Sequence, residues 1–138
     1  MKKPSAIIII SIFIFILSLL FTAVYTEPHN VDGLTCLLLG WAEMSGGGIA
    51  WMANPLLVTA AFLLLMKKPK ASLVISFLAL ALTLCFLTVK EITVDEAGHQ
   101  NPITGYGPGY YLWIASCISM ILGNTIFIRT AKQTHISQ

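Results

Sequence analysis

The chain has 138 residues, 57% of them hydrophobic and 10% charged, with a formal net charge of +2 and a mean hydropathy of +0.83. So apolar a composition at this length excludes a water-soluble domain and leaves too few residues for a second one. The expected protein is therefore all-α, a single integral membrane domain over 1–138 built as a four-helix bundle.

Charge placement says more than net charge. Lys2, Lys3, Lys67, Lys68, Lys70, Arg129 and Lys132 flank one side of the spans described next, whereas Glu27, Asp32, Glu91, Asp95 and Glu96 flank the other, and only Lys90 breaks the pattern. Because Lys and Arg collect at cytoplasmic flanks, both termini are expected in the cytoplasm, with the chain multi-pass in a plasma (inner) membrane. The basic residues are few, scattered and beside lipid, so no nucleic-acid partner is expected; the lipid bilayer is.

Ala6 to Tyr25 is an uncharged apolar run of 20 residues, which at about 1.5 Å per residue crosses a hydrocarbon core of about 30 Å. A cleaved signal peptide is the rival reading, but the run exceeds a usual h-region and no clear small-residue cleavage site follows it. Residues 26–33 have turn composition. Leu34 to Met44 is apolar but only 11 residues long, so it predicts an interfacial or re-entrant helix; its continuation into the next span as one long bent helix is the alternative.

The second span, 49–66, contains Asn54-Pro55. Proline removes an amide donor, so a kink is expected in which the Trp51 carbonyl loses its helical partner. After the basic turn at Lys67-Lys68-Pro69-Lys70, the third span covers 71–89. There Ser72, Ser76, Ala79 and Thr83 fall on one helical face, which permits close helix approach in lipid. Ser11, Ser18 and Thr22 in the first span, and Ser116, Ser119 and Gly123 in the last, repeat the device.

Glu91 to Gly107 is the longest connection. Ile92-Thr93-Val94 and Ile103-Thr104 favour extended structure around Asp95-Glu96-Ala97-Gly98, which has turn chemistry, so a small hairpin or an ordered cap is expected. Pro108 suits the start of the fourth span, 110–128, which Arg129 and Lys132 are expected to stop, leaving a frayed tail.

All seven Trp and Tyr residues, namely Tyr25, Trp41, Trp51, Tyr106, Tyr110, Tyr111 and Trp113, lie towards the outer ends of their segments. Membrane proteins usually carry such residues at both interfaces, so a one-sided set suggests a docking surface on the outer face as well as anchoring. With Glu43, the one acidic group in an apolar segment and expected to snorkel outward, and with Asn54 and Pro55 at the kink, the candidate partner or ligand surface is Trp41, Glu43, Trp51, Asn54, Pro55, Tyr106, Tyr110, Tyr111 and Trp113.

Gly40-Trp41, Trp51-Met52-Ala53-Asn54-Pro55-Leu56-Leu57 and Tyr106-Gly107-Pro108-Gly109-Tyr110-Tyr111-Leu112-Trp113 resemble motifs of small uncharacterised four-span bacterial inner-membrane proteins, over roughly residues 33–125. The resemblance implies location and architecture; it brings no activity and no site residues.

Chemical signatures are absent from the sequence. Cys36, Cys85 and Cys117 are three and widely spaced, unlike the paired cysteines of membrane disulfide relays, although a Cys36–Cys85 bridge is conceivable near an oxidising face. His29, Asp32, Asp95, Glu96 and His99 form no metal-ligand motif. The first span lacks the acidic residue on which small multidrug exporters depend. Ser45-Gly46-Gly47-Gly48 lacks the Lys-Ser/Thr ending of a phosphate loop.

No catalytic residue, metal or cofactor is therefore expected. The leading reading is a non-enzymatic accessory or assembly subunit of a larger membrane complex, using its outer aromatic face towards a membrane protein partner or another copy of itself. A lipid- or amphiphile-binding or transport protein is the alternative, with a pocket enclosed by the kinked second helix, the interfacial helix and the 91–107 cap. A membrane immunity protein against a pore-forming toxin is the third.

Overall fold

In the computed structural model the described residues are 3–43 and 46–136. Lys2, Met44, Ser45 and the last two residues of the tail lie outside them, and so, in part, do the basic N-terminal flank, the 34–44 helix and the glycine-rich turn.

The chain runs through α1 (Lys3–Leu20), β1 (Thr22–Thr26), β2 (Val31–Asp32) and α2 (Gly33–Leu39), then a 3-10 turn at Gly40–Ala42. It continues through α3 (Gly46–Trp51), α4 (Ala53–Leu65), α5 (Pro69–Cys85), β3 (Glu91–Thr93), β4 (Gln100–Tyr106) and α6 (Pro108–Ile136). Among the described residues, three helical stretches are long and apolar enough to cross a membrane: Gly48–Leu65, Pro69–Thr88 and Pro108–Ile136. Pro4–Leu20 and Gly33–Ala42 are shorter apolar helices.

The fold is mostly helical, and the all-α expectation needs correction. A four-stranded antiparallel sheet in the order β2-β1-β4-β3 covers one end of the helices. The first helix therefore ends at Leu20, and Thr22–Thr26 is a strand whose Val24 pairs with Tyr106 and whose Thr26 pairs with Ile103. Thr, Val and Tyr suit a pleated, half-buried surface, and partners some eighty residues away supply the ladder that makes them a strand. The 91–107 connection is a hairpin, with Ile92 opposite Asn101.

Local chemistry accounts for the breaks. Asp32 caps α2, its Oδ1 accepting from Thr35 N at 2.7 Å. Glu43 is extended after the 3-10 turn (φ −80°, ψ 112°), so α2 does not run on into the next helix. Pro55 has no amide to give the Trp51 carbonyl, and there the helix divides: α3 ends at Trp51 and Met52 N bonds Ile49 O in a tightened turn. Lys67 takes the left-handed conformation (φ 59°) that reverses the chain between α4 and α5.

A second correction concerns α6, which continues past Arg129 and Lys132 to Ile136. Lys and Arg are good helix formers, and a hydropathy limit marks the edge of an apolar slab, not the end of a helix.

The small-residue faces mediate the helix packing. Ser72, Ser76, Ala79 and Thr83 are all fully buried, with Ser72 Oγ donating to Ala60 O of α4 at 2.7 Å and Asn124 Nδ2 of α6 donating to Ser72 Oγ at 3.0 Å. Ser11 of α1 donates to Ser116 O of α6 at 2.7 Å. These pairs set α1 and α5 antiparallel to α6, placing the Lys67 turn at one end and the sheet at the other. One apolar core, including Leu57, Leu64 and Met120, fills the middle; a second, including Val24, Phe86, Ile92 and Tyr110, lies beneath the sheet.

Candidate functional site

Beneath the sheet, residues of α1, α2, α3 and α6 surround a partly open, mainly apolar cavity of about 60 Å³. Each wall has a local cause. On the α1 side, Gly33 and Gly109 let the chain approach backbone oxygens at the end of α1: a Cβ on Gly109 would lie 2.6 Å from Phe21 O and 2.8 Å from Ser18 O. On the α2 side, the bare Gly40 admits the Trp51 indole, whose Cδ1 would be 2.7 Å from a Cβ there. Trp51 Nε1 donates to Leu37 O at 2.8 Å, tying α3 to α2, and the side chain lines the cavity.

The α6 wall is aromatic. Tyr110 is 2% exposed and donates through its hydroxyl to Thr83 O at 2.8 Å. Its ring centroid lies 4.8 Å from that of Tyr106, 5.8 Å from Phe86 and 6.2 Å from Trp113, distances within the favourable range for aromatic pairs. Burial, and secondarily Tyr111, push the Tyr106 phenol above its ordinary value. Trp113 lines the cavity, and its Nε1 is buried without a hydrogen-bond partner among the described residues.

Glu43 departs most from expectation. Instead of snorkelling to the interface, it is 8% exposed and turns inward, its Oε1 accepting from Thr93 N at 3.1 Å and Thr93 Oγ1 at 3.3 Å. The extended backbone at Glu43 aims the side chain at β3, a partner that local sequence does not reveal.

Of the candidate residues, Glu43, Trp51, Asn54, Tyr110 and Trp113 line the cavity, and Tyr106 supports it through Tyr110. Pro55 shapes the kink without lining it. Trp41 (67% exposed) and Tyr111 (61% exposed) stand on the outside. Sequence reasoning missed Phe15 and Leu19 of α1, Phe86 and Ile92, all of which line the cavity. Apolar residues in apolar segments carry no distinguishing signal, although glycines at 33, 40 and 109 could have marked close approaches.

Cys36, Cys85 and Cys117 are free thiols. Burial first, then the nearby carboxylates of Asp32 and Glu43, push the Cys36 thiol up to about 12. A thiol raised this far holds about a thousandfold less thiolate at neutral pH than an ordinary one. Iodoacetamide is accordingly expected to alkylate Cys36 at least about a hundredfold more slowly than a free thiol at pH 8, with the rate still rising above pH 10. Peptide mass spectrometry of a Cys85→Ser, Cys117→Ser variant reads this out, and alkylation at the ordinary rate would show the site to be wet.

A wider hollow of about 470 Å³ lies on the loops at the sheet end, between His29, Asp32 and Asp95. There Asp95 Oδ1 accepts from Ala97 N and His99 N at 3.0 and 3.1 Å, and Oδ2 meets His99 Nδ1 at 2.6 Å. These bonds, led by the His99 side chain, hold the Asp95 carboxyl below its usual range. They organise the hairpin turn, and among the described residues no group of three metal-ligating side chains occurs. No protein-family model, no curated protein and no solved structure matches this chain.

Proposed function

We propose that the chain is a non-enzymatic four-span protein of the plasma (inner) membrane, with both termini cytoplasmic, that binds an amphiphile in the cavity beneath its outer sheet. In this reading α1 is the fourth span: its 18 residues rise about 27 Å, and β1 carries the chain on into the outer interface. The observation behind the function is the cavity itself, an apolar chamber at the sheet end with a few polar groups converging on it, as ligand sites are built. Its volume of about 60 Å³ suits a compact head or the first carbons of a chain better than a whole lipid; an apolar cavity of about 150 Å³ already takes benzene.

Native mass spectrometry of the tagged protein, extracted from its own membrane in mild detergent, tests this. The expected species is one chain carrying one small amphiphile, lost in Cys36→Phe, where the larger side chain occupies the cavity. Identical adducts on parent and variant would remove the pocket reading.

The exposure of Trp41 and Tyr111 favours a second reading, an accessory subunit docking through its outer rim. It predicts a stoichiometric protein partner in the same experiment, lost when Trp41 and Tyr111 are changed to Leu.

A further inference from the structure

The carboxylate of Glu43 goes beyond what the pocket reading requires. Burying a carboxylate among apolar walls is costly unless a cation or a full set of donors meets it. Only Oε1 has partners among the described residues, both supplied by Thr93, and no Lys, Arg or His among the described residues forms an ion pair with Glu43. A glutamine could hold β3 equally well, since its carbonyl would accept the same two bonds without a charge. Oε2 has no partner among the described residues, and Glu43 lines the cavity.

The other walls suit a cation. Trp51, Phe86, Tyr110 and Trp113 present aromatic groups, whose faces are negative and attract ammonium groups within about 6 Å. Trp51 has already used its ring N–H on Leu37 O, so its indole has only the π system left to offer. Asn54 adds a polar side chain to the lining. Among the described residues, Trp113 Nε1 is the one buried donor lining the cavity that lacks a partner.

We propose that the cavity recognises a primary ammonium carried on an apolar chain, with Glu43 as its counter-ion and the aromatic walls around the methylenes next to it. The proposal rests on the pocket reading and supplies its substrate class. A primary ammonium fits the small chamber, whereas a trimethylammonium would fill it before reaching Glu43. The same chemistry could come from a free long-chain amine or from the head of an aminophospholipid.

The test uses the full chain in phosphatidylcholine nanodiscs at pH 7, with dodecylamine, dodecanol and dodecanoate as probes, each referenced to protein-free discs. Dodecylamine is expected to bind saturably, at least about tenfold tighter than dodecanol, with dodecanoate weakest. Glu43→Gln, which keeps the acceptor for Thr93, is expected to bring the amine to the level of the alcohol. The preference of the parent protein stands by itself if the variant fails to fold. Equal binding of amine and alcohol to the parent, or an amine preference that survives in a folded Glu43→Gln, overturns the ammonium assignment and leaves the pocket. Absence of saturable binding by all three probes overturns both. Adding phosphatidylethanolamine to the discs separates the sources: competition with dodecylamine assigns the site to an aminophospholipid head, and lack of competition to a free amine.

Discussion

Ser72→Leu is expected to destabilise the helical assembly by about 2–4 kcal/mol, of which overpacking contributes about 1–3 kcal/mol and lost hydrogen bonds most of the rest. Ser72 is fully buried where α4, α5 and α6 meet, and its hydroxyl both donates to Ala60 O and accepts from Asn124 Nδ2. A leucine adds branched carbons where the backbones have closed together, so α5 must move away from at least one neighbour. The polar part is the smaller term, because Asn124 Nδ2 keeps its second bond to Met120 O at 3.0 Å. Ser72→Ala isolates that part and should cost only about 0.6 kcal/mol, the average for interhelical hydrogen bonds in membranes. Unfolding of detergent-solubilised protein by increasing SDS, followed by circular dichroism, separates the two variants. A leucine variant unfolding at the parent midpoint would show that this face is not close-packed.

Gly109→Ala is expected to destabilise by about 2–3 kcal/mol, at the upper end of usual overpacking penalties. The sign makes the test sharp, because glycine to alanine within a helix ordinarily stabilises by about 1 kcal/mol. Here the added Cβ would meet three backbone oxygens, at 2.6 Å from Phe21, 2.8 Å from Ser18 and 3.0 Å from Thr22. None can rotate away: Phe21 O already accepts from Gly33 N at 3.0 Å, and Thr22 belongs to the sheet. The helix start must lift, and Tyr106 and Gly107 with it, so amide exchange should rise along β1 and β4 as stability falls. Gly105→Ala is the control, since its Cβ would meet only Tyr25 Cδ2 at 3.5 Å, an ordinary contact. A stabilised Gly109→Ala would mean that α1 and α6 do not approach this closely.

Both variants act where sequence and structure speak to each other differently. The small face of α5 was legible because helical spacing is local: positions 72, 76, 79 and 83 share a side whatever the rest of the chain does. The role of Gly109 was not, because its neighbours Ser18 and Phe21 lie about ninety residues earlier. Glu43 shows the same limit. As the one acidic residue in an apolar segment it stood out, yet its direction depended on Thr93 of a distant strand.

The sequence by itself determined the long apolar helices, three of them long and apolar enough to cross a membrane, the proline break after Trp51, the small-residue face and the extended hairpin before Pro108. These follow from helix geometry, backbone donors and turn chemistry within a few residues. The tertiary structure alone decided that Thr22–Thr26 leaves the helix for a strand, that Glu43 turns inward, and that a cavity remains beneath the sheet. Strand pairing and cavity walls are made by residues far apart in the chain, and an apolar run reads alike whether it ends in lipid, in a core or around a ligand.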